Sequence, residues 1–145
     1  MSRRILVIAA AFATAVAATA VMAQAEVVKQ REALMKDLGN ATKPVGGMLR
    51  GSVPFDLATV QAALDTYAKN AKALPVLFPA GSGEGSDALP TIWERKAEFD
   101  GLFVKLAADA SAARAAITDE ASFKANFPGV IRTCGTCHDS FRKKS

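Results

Sequence analysis

The chain has 145 residues and a mass of 15.2 kDa, with 18 Lys and Arg against 14 Asp and Glu, a formal charge of +4. Two of the basic residues, Arg3 and Arg4, belong to a leader-like segment that holds no acid, so without it the balance is 16 to 14, or +2. So small an excess offers no basic patch for a nucleic-acid or membrane-surface role, and the remaining length of about 120 residues suits one domain with one core.

Arg3 and Arg4 precede an apolar run from Ile5 to Met22, and Ala23-Gln24-Ala25 supplies the small-x-small pattern of a secretory cleavage site. Residues 1–25 therefore read as a signal peptide, with a mature chain of residues 26–145 and no stable membrane anchor after cleavage. A retained anchor is the competing reading, since the run is close to spanning length; its Ala and Thr content and the Ala-x-Ala end favour cleavage.

High alanine content and few β-branched runs predict helix throughout the mature chain. Val27, Val28, Arg31, Leu34, Met35 and Leu38 recur at helical spacing in a first helix from Val27 to about Arg50, which Gly51 ends and Pro44 should kink or open. Asp56 is an N-cap for a second helix, with Phe55 and Val60 placed as a hydrophobic staple, and Leu57, Val60, Leu64, Tyr67, Ala71 and Leu74 form its apolar stripe. Pro75 stops it. Residues 75–90, rich in Pro, Gly and Ser, read as a loop and the place for flexibility. A third helix runs from Thr91 to about Ala116. Thr118 or Asp119 caps a fourth, which carries Phe123, Phe127, Ile131, Cys134, His138 and Phe141 and which Pro128-Gly129 should bend or interrupt. Four amphipathic helices with mostly short connections predict an all-α, antiparallel up-down four-helix bundle.

Near the end of the last helix stands Cys134-Gly135-Thr136-Cys137-His138. Cys-x-x-Cys-His is the attachment signature of c-type haem. On a helix, two thiols three residues apart share a face within reach of the two vinyl groups of one porphyrin, and the adjacent imidazole becomes an axial ligand of the iron. Three rival readings explain less. A thioredoxin-like site wants a βαβ setting, a structural zinc site wants four ligands where the chain has two Cys and one His, and a local disulfide leaves His138 idle. The motif thus names one covalent haem c per chain.

Further features join this motif: Arg31-Glu32-Ala33-Leu34-Met35-Lys36, Leu74-Pro75-Val76-Leu77-Phe78-Pro79, Leu89-Pro90-Thr91-Ile92-Trp93, and Phe141-Arg142 after the haem motif. With them the chain resembles the class II cytochromes c, above all the cytochrome c′ group, across essentially all of its mature length. No Met follows His138, so the class I ligand arrangement is impossible. The resemblance implies that Arg31 lies by a haem propionate, where its rigid fork of donors suits a carboxylate. It implies further haem contacts at Glu32, where relatives often carry Gln, and at the loop residue Asp87, and that Arg142 can cover the proximal face. Trp93 and Phe99 either pack on the porphyrin or belong to the core.

Met35 lies one helical turn after Arg31 on the same face, so if Arg31 reaches a propionate, Met35 projects over the distal side of the iron. In the cytochrome c′ group the resemblance implies an apolar side chain here that leaves iron five-coordinate and high-spin; in low-spin class II relatives a Met at or near this position binds it. After loss of the signal only Met35 and Met48 remain as thioethers. A Met on a helical apolar stripe is more often packing than ligand, which favours the five-coordinate form.

The expectation is a periplasmic class II c-type cytochrome that transfers single electrons, with redox partner proteins in the same compartment; the resemblance further implies a homodimer, which relatives form through the first two helices. Two alternatives stand beside it: an NO- or CO-binding haem protein acting in gas sequestration or sensing, and a low-spin carrier with Met35 as sixth ligand. No catalytic residues are expected; the chain offers no Ser-His-Asp set, phosphate loop or evident distal acid-base pair.

Overall fold

A computed structural model describes the backbone of residues 2–144 and the side chains of residues 22–144. Arg3, Arg4 and most of the apolar run of the expected signal peptide lie outside the described side chains. Five helices follow one another: α1 (Ser2–Leu49), α2 (Leu57–Ala73), the single turn α3 (Thr91–Glu94), α4 (Lys96–Ala116) and α5 (Glu120–Phe141), with a short 3-10 turn at Pro75–Leu77. The four long helices form the expected antiparallel bundle. Among the described residues, no helix is long and apolar enough to cross a membrane.

The chain's punctuation sets the helix ends. Gly51, at φ +73°, ends α1 in a Schellman motif: its N–H reaches Met48 O at 3.0 Å while Ser52 N–H reaches Gly47 O at 3.0 Å. Asp56 caps α2 by accepting from Thr59 N–H at 2.9 Å. Asp119, rather than Thr118, caps α5 and forms a reciprocal capping box with Ser122.

Two helices are continuous where a break is one of the expected outcomes, and one breaks where none is expected. Neither Pro44 nor Pro128 interrupts its helix. Each costs a ladder bond, but the neighbouring turns bury Val45 and Met48 in α1 and Phe127 and Val130 in α5, which holds them in register. The predicted third helix does break, at Arg95 (φ −121°, ψ 42°), into α3 and α4. Tertiary bonds reorient α3: Thr91 Oγ1 donates to Ser140 O at 2.9 Å, and Trp93 Nε1 donates to Pro79 O at 2.9 Å.

Packing is uneven around the bundle. α2 packs most extensively on α4, α4 on α5 and α1 on α2. Two part-buried polar pairs fix α1 on α2: Asn70 Nδ2 donates to Asp37 Oδ2 at 2.8 Å, and Tyr67 Oη lies 2.8 Å from Thr42 Oγ1. Burial pushes the Tyr67 phenol up to about 12 against the pull of that hydrogen bond, so it stays neutral. Among the described residues α1 and α5 share no such interface. They are the walls of a cleft.

Candidate haem site

The cleft is a cavity of about 940 Å³, near the upper end of the ~300–1,000 Å³ usual for small-molecule sites. Arg31, Glu32 and Met35 on α1, Asp87 on the loop, and Cys134, Cys137 and His138 on α5 all line it. Every residue expected at the cofactor, drawn from three separated stretches of sequence, therefore meets at one place. Arg142 lines it too.

The deep wall is apolar. Phe99 makes edge contacts with Phe78, Phe103 and Phe141 at centroid distances of 4.7, 5.1 and 5.3 Å, and all four rings line the cavity. Trp93 does not line it. Its ring rests against Gly83, where an added Cβ would fall 3.0 Å from the indole, and so it props the loop. Met48 is buried in the core away from the cavity, whereas Met35 is half-buried on its α1 wall, so of these two thioethers only Met35 faces the cleft.

Cys134 and Cys137 are free thiols, each partly buried. Desolvation, followed by the influence of Cys134, pushes the Cys137 thiol up to about 11, and desolvation raises Cys134 as well. A redox-active Cys-x-x-Cys needs the reverse, a thiol acidified by a helix N-terminus or nearby cations; this pair sits in the C-terminal part of α5, where the helix dipole opposes a thiolate. The pKa of His138 is lowered by desolvation and then by Arg142, partly offset by Asp139. The imidazole is thus held in the neutral form that binds metals. Among the described residues no three His, Cys, Asp or Glu side chains gather to hold a metal ion by themselves.

Arg31 has the most elaborate surroundings of the site residues. It is 3 % exposed, with no carboxylate in salt-bridge range among the described residues. Nη1 donates to Leu77 O at 3.3 Å and Ser82 Oγ at 3.0 Å; Nη2 donates to Ser82 O at 2.6 Å and Ser86 Oγ at 2.7 Å. The two serines pass the bonds on, Ser82 Oγ to Pro79 O at 2.8 Å and Ser86 Oγ to Gly83 O at 2.9 Å. The guanidinium lies 4.6 Å from the Phe78 ring centroid, and desolvation lowers its pKa. The Gly/Ser-rich loop expected to be flexible is therefore organised around one arginine.

The chain's end pins the loop from the other side. Ala88 forms an antiparallel bridge with Arg142, Lys143 N–H reaches Asp87 O at 2.8 Å, and Lys143 Nζ donates to Ser86 O at 2.8 Å. Asp87 is thereby held at the cavity edge, 3.6 Å from Arg142 Nη2. Sequence reasoning missed Ser82 and Ser86; their only sequence signal is a serine spacing that lets both hydroxyls bond a carbonyl three residues back while facing one cation.

These residues fit a haem. Two thiols and a neutral imidazole stand on one wall, aromatic rings form an apolar deep wall, and a buried cation lining the cavity has no carboxylate in salt-bridge range among the described residues. Comparison with known proteins agrees. The family model described as Cytochrome C′ matches residues 26–142. A cytochrome c′ from Rhodopseudomonas palustris is 54% identical over 125 residues, covering 85% of this chain and 86% of its own length. A cytochrome c-556 from Agrobacterium fabrum is 42% identical over 128 residues, covering 88% of this chain and 87% of its own. A solved structure of cytochrome c′ from R. palustris superposes with a TM-score of 0.80 at 54% identity, covering 82% of this chain and 97% of its own.

Proposed function

Because this chain belongs to the cytochrome c′ family, whose members carry covalently bound haem c, we propose that it is a periplasmic one-electron carrier whose iron is five-coordinate. Haem c supplies a ferric/ferrous couple and, where a coordination position is open, a site for a neutral diatomic. Cys134 and Cys137 would hold the macrocycle, His138 would supply a nitrogen ligand to its iron, and Arg31 would balance a propionate. Glu32 and Asp87, both exposed at the rim, would stand beside the group. The family match begins at residue 26, the first residue after the expected cleavage site, which supports export.

One observation carries the coordination state. Met35 is half-buried against the hydrophobic core, a placement that suits a packing side chain crowding the distal side. The Met35→Ala variant tests it. If Met35 only packs, wild type and variant share a high-spin spectrum, and the reduced variant binds CO about tenfold more tightly because no side chain has to move. A low-spin wild type that becomes high-spin in the variant would make Met35 the sixth ligand and the protein a low-spin carrier.

Gas binding is the second reading. The deep wall of the cavity is aromatic and aliphatic, and the chain has no second His to stabilise a bound ligand by hydrogen bonding. Such a pocket admits NO or CO and disfavours charged ligands. The protein so read is a carrier or binder and not an enzyme, working as a homodimer with redox partner proteins.

A further inference from the structure

Lys29, Lys36, Lys43 and Arg50 stand seven residues apart along α1 and its last turn, where Arg50 N–H still reaches Gly46 O at 3.2 Å. A seven-residue spacing drifts only about 20° per step, so the four form one narrow stripe, roughly 32 Å long at 1.5 Å per residue. All four are exposed. Lys36, Lys43 and Arg50 also line the haem cavity, which places the stripe along its mouth.

The cations of the stripe differ from those elsewhere. Ion pairs among the described residues engage Arg95, Lys96, Lys105, Arg114, Lys124 and Arg142, and none engages the stripe. The acids lining the cavity are Glu32 and Asp87, and Asp87 is already beside Arg142. The small net charge of the sequence conceals this local excess.

We propose that this stripe docks the acidic face of a partner electron-transfer protein, bringing that partner's redox centre to the mouth of the haem cavity. The proposal rests on the haem reading above and adds the surface and its partner's charge. Between the cations, the stripe carries one acid, Glu32, and the small residues Ala33, Gly39, Asn40 and Gly46. Such small residues let a protein surface approach closely, whereas a membrane-binding face would need large apolar side chains to insert. Unpaired charges beside a redox cavity steer association, and such steering fades as salt screens it.

The test is reduction of the ferric holoprotein by flavodoxin hydroquinone, an acidic protein, followed by stopped flow at 10 mM and 500 mM salt. One electron leaves the reduced flavin for the ferric holoprotein. Neutral reduced lumiflavin is the control donor, and the variants are K36Q/K43Q/R50Q and, on exposed positions of α2, K69Q/K72Q. The proposal predicts a roughly tenfold slower flavodoxin reaction for the triple variant at low salt, convergence with wild type at high salt, a much smaller change in the lumiflavin rate, and little effect of K69Q/K72Q. A triple variant with full haem content and a flavodoxin rate within twofold of wild type would overturn it. So would an equal loss with lumiflavin, which would locate the effect in the haem pocket. A sedimentation shift showing that the stripe joins two copies, or loss of binding to phosphatidylglycerol vesicles with the flavodoxin rate intact, would reassign the surface and overturn the proposal. Failure of wild type to contain reducible haem, seen with both donors, would instead count against the haem reading.

Discussion

Replacing Cys134 and Cys137 together by Ser is expected to reduce covalently attached haem from one per chain to none. Both thiols line the same cavity as His138, and thioether formation consumes both. Their raised pKa values mark them as neutral thiols in a desolvated wall, a setting suited to a buried adduct rather than to exchange with other thiols. The check is haem retained on the polypeptide after denaturing electrophoresis, with acid-acetone extraction of anything held only by His138. Covalent haem persisting in the double variant would mean that the attachment site lies elsewhere.

The second large effect is expected at Arg31. Arg31→Met removes a guanidinium that holds Leu77, Ser82 and Ser86 at once and leaves Ser82, itself buried, without its cation. Hydrogen bonds to charged groups contribute about 1.5–3 kcal/mol each. They do not add within one network, and removing the ion also relieves its desolvation. A net loss of about 3 kcal/mol follows, or about 10 °C in Tm for a domain of this size. Thermal melts of the holoprotein check this, together with proteolytic cleavage between residues 79 and 86, which should rise sharply. A melting shift below about 2 °C would mean that the arginine is not the loop's anchor. Arg31→Lys should recover only part of the loss, because a point charge cannot reproduce four forked bonds.

How much of this was legible in the sequence depends on whether a feature is local. Gly51, Asp56, Pro75 and Asp119 act through the backbone of their own turn, and each ends or starts a helix as its residue type dictates. The haem motif is local too, and its meaning could be read from five residues. The break at Arg95 could not, since it follows from bonds of Thr91 and Trp93 to residues 49 and 14 positions away. Continuity through Pro44 and Pro128 likewise depends on packing that outweighs a lost hydrogen bond. Arg31 illustrates the limit best. The resemblance put it at the cofactor, and it does line the cavity, yet its bonds to the loop arise from two serines more than fifty residues away. The stripe of cations was present in the sequence as a spacing of seven, but a count of net charge conceals such a pattern until the helix places it beside the cavity.

A haem held by Cys134 and Cys137 in this cleft would meet Met35 on the cavity's α1 wall as a packing side chain, which leaves its iron five-coordinate. The most direct measurement is the optical spectrum of the purified holoprotein, oxidised and reduced, before and after addition of CO. A broad high-spin spectrum that shifts when CO is added to the reduced protein is the predicted result. Sharp, split visible bands on reduction, with no response to CO, would contradict it and put the Met35 sulfur on the iron.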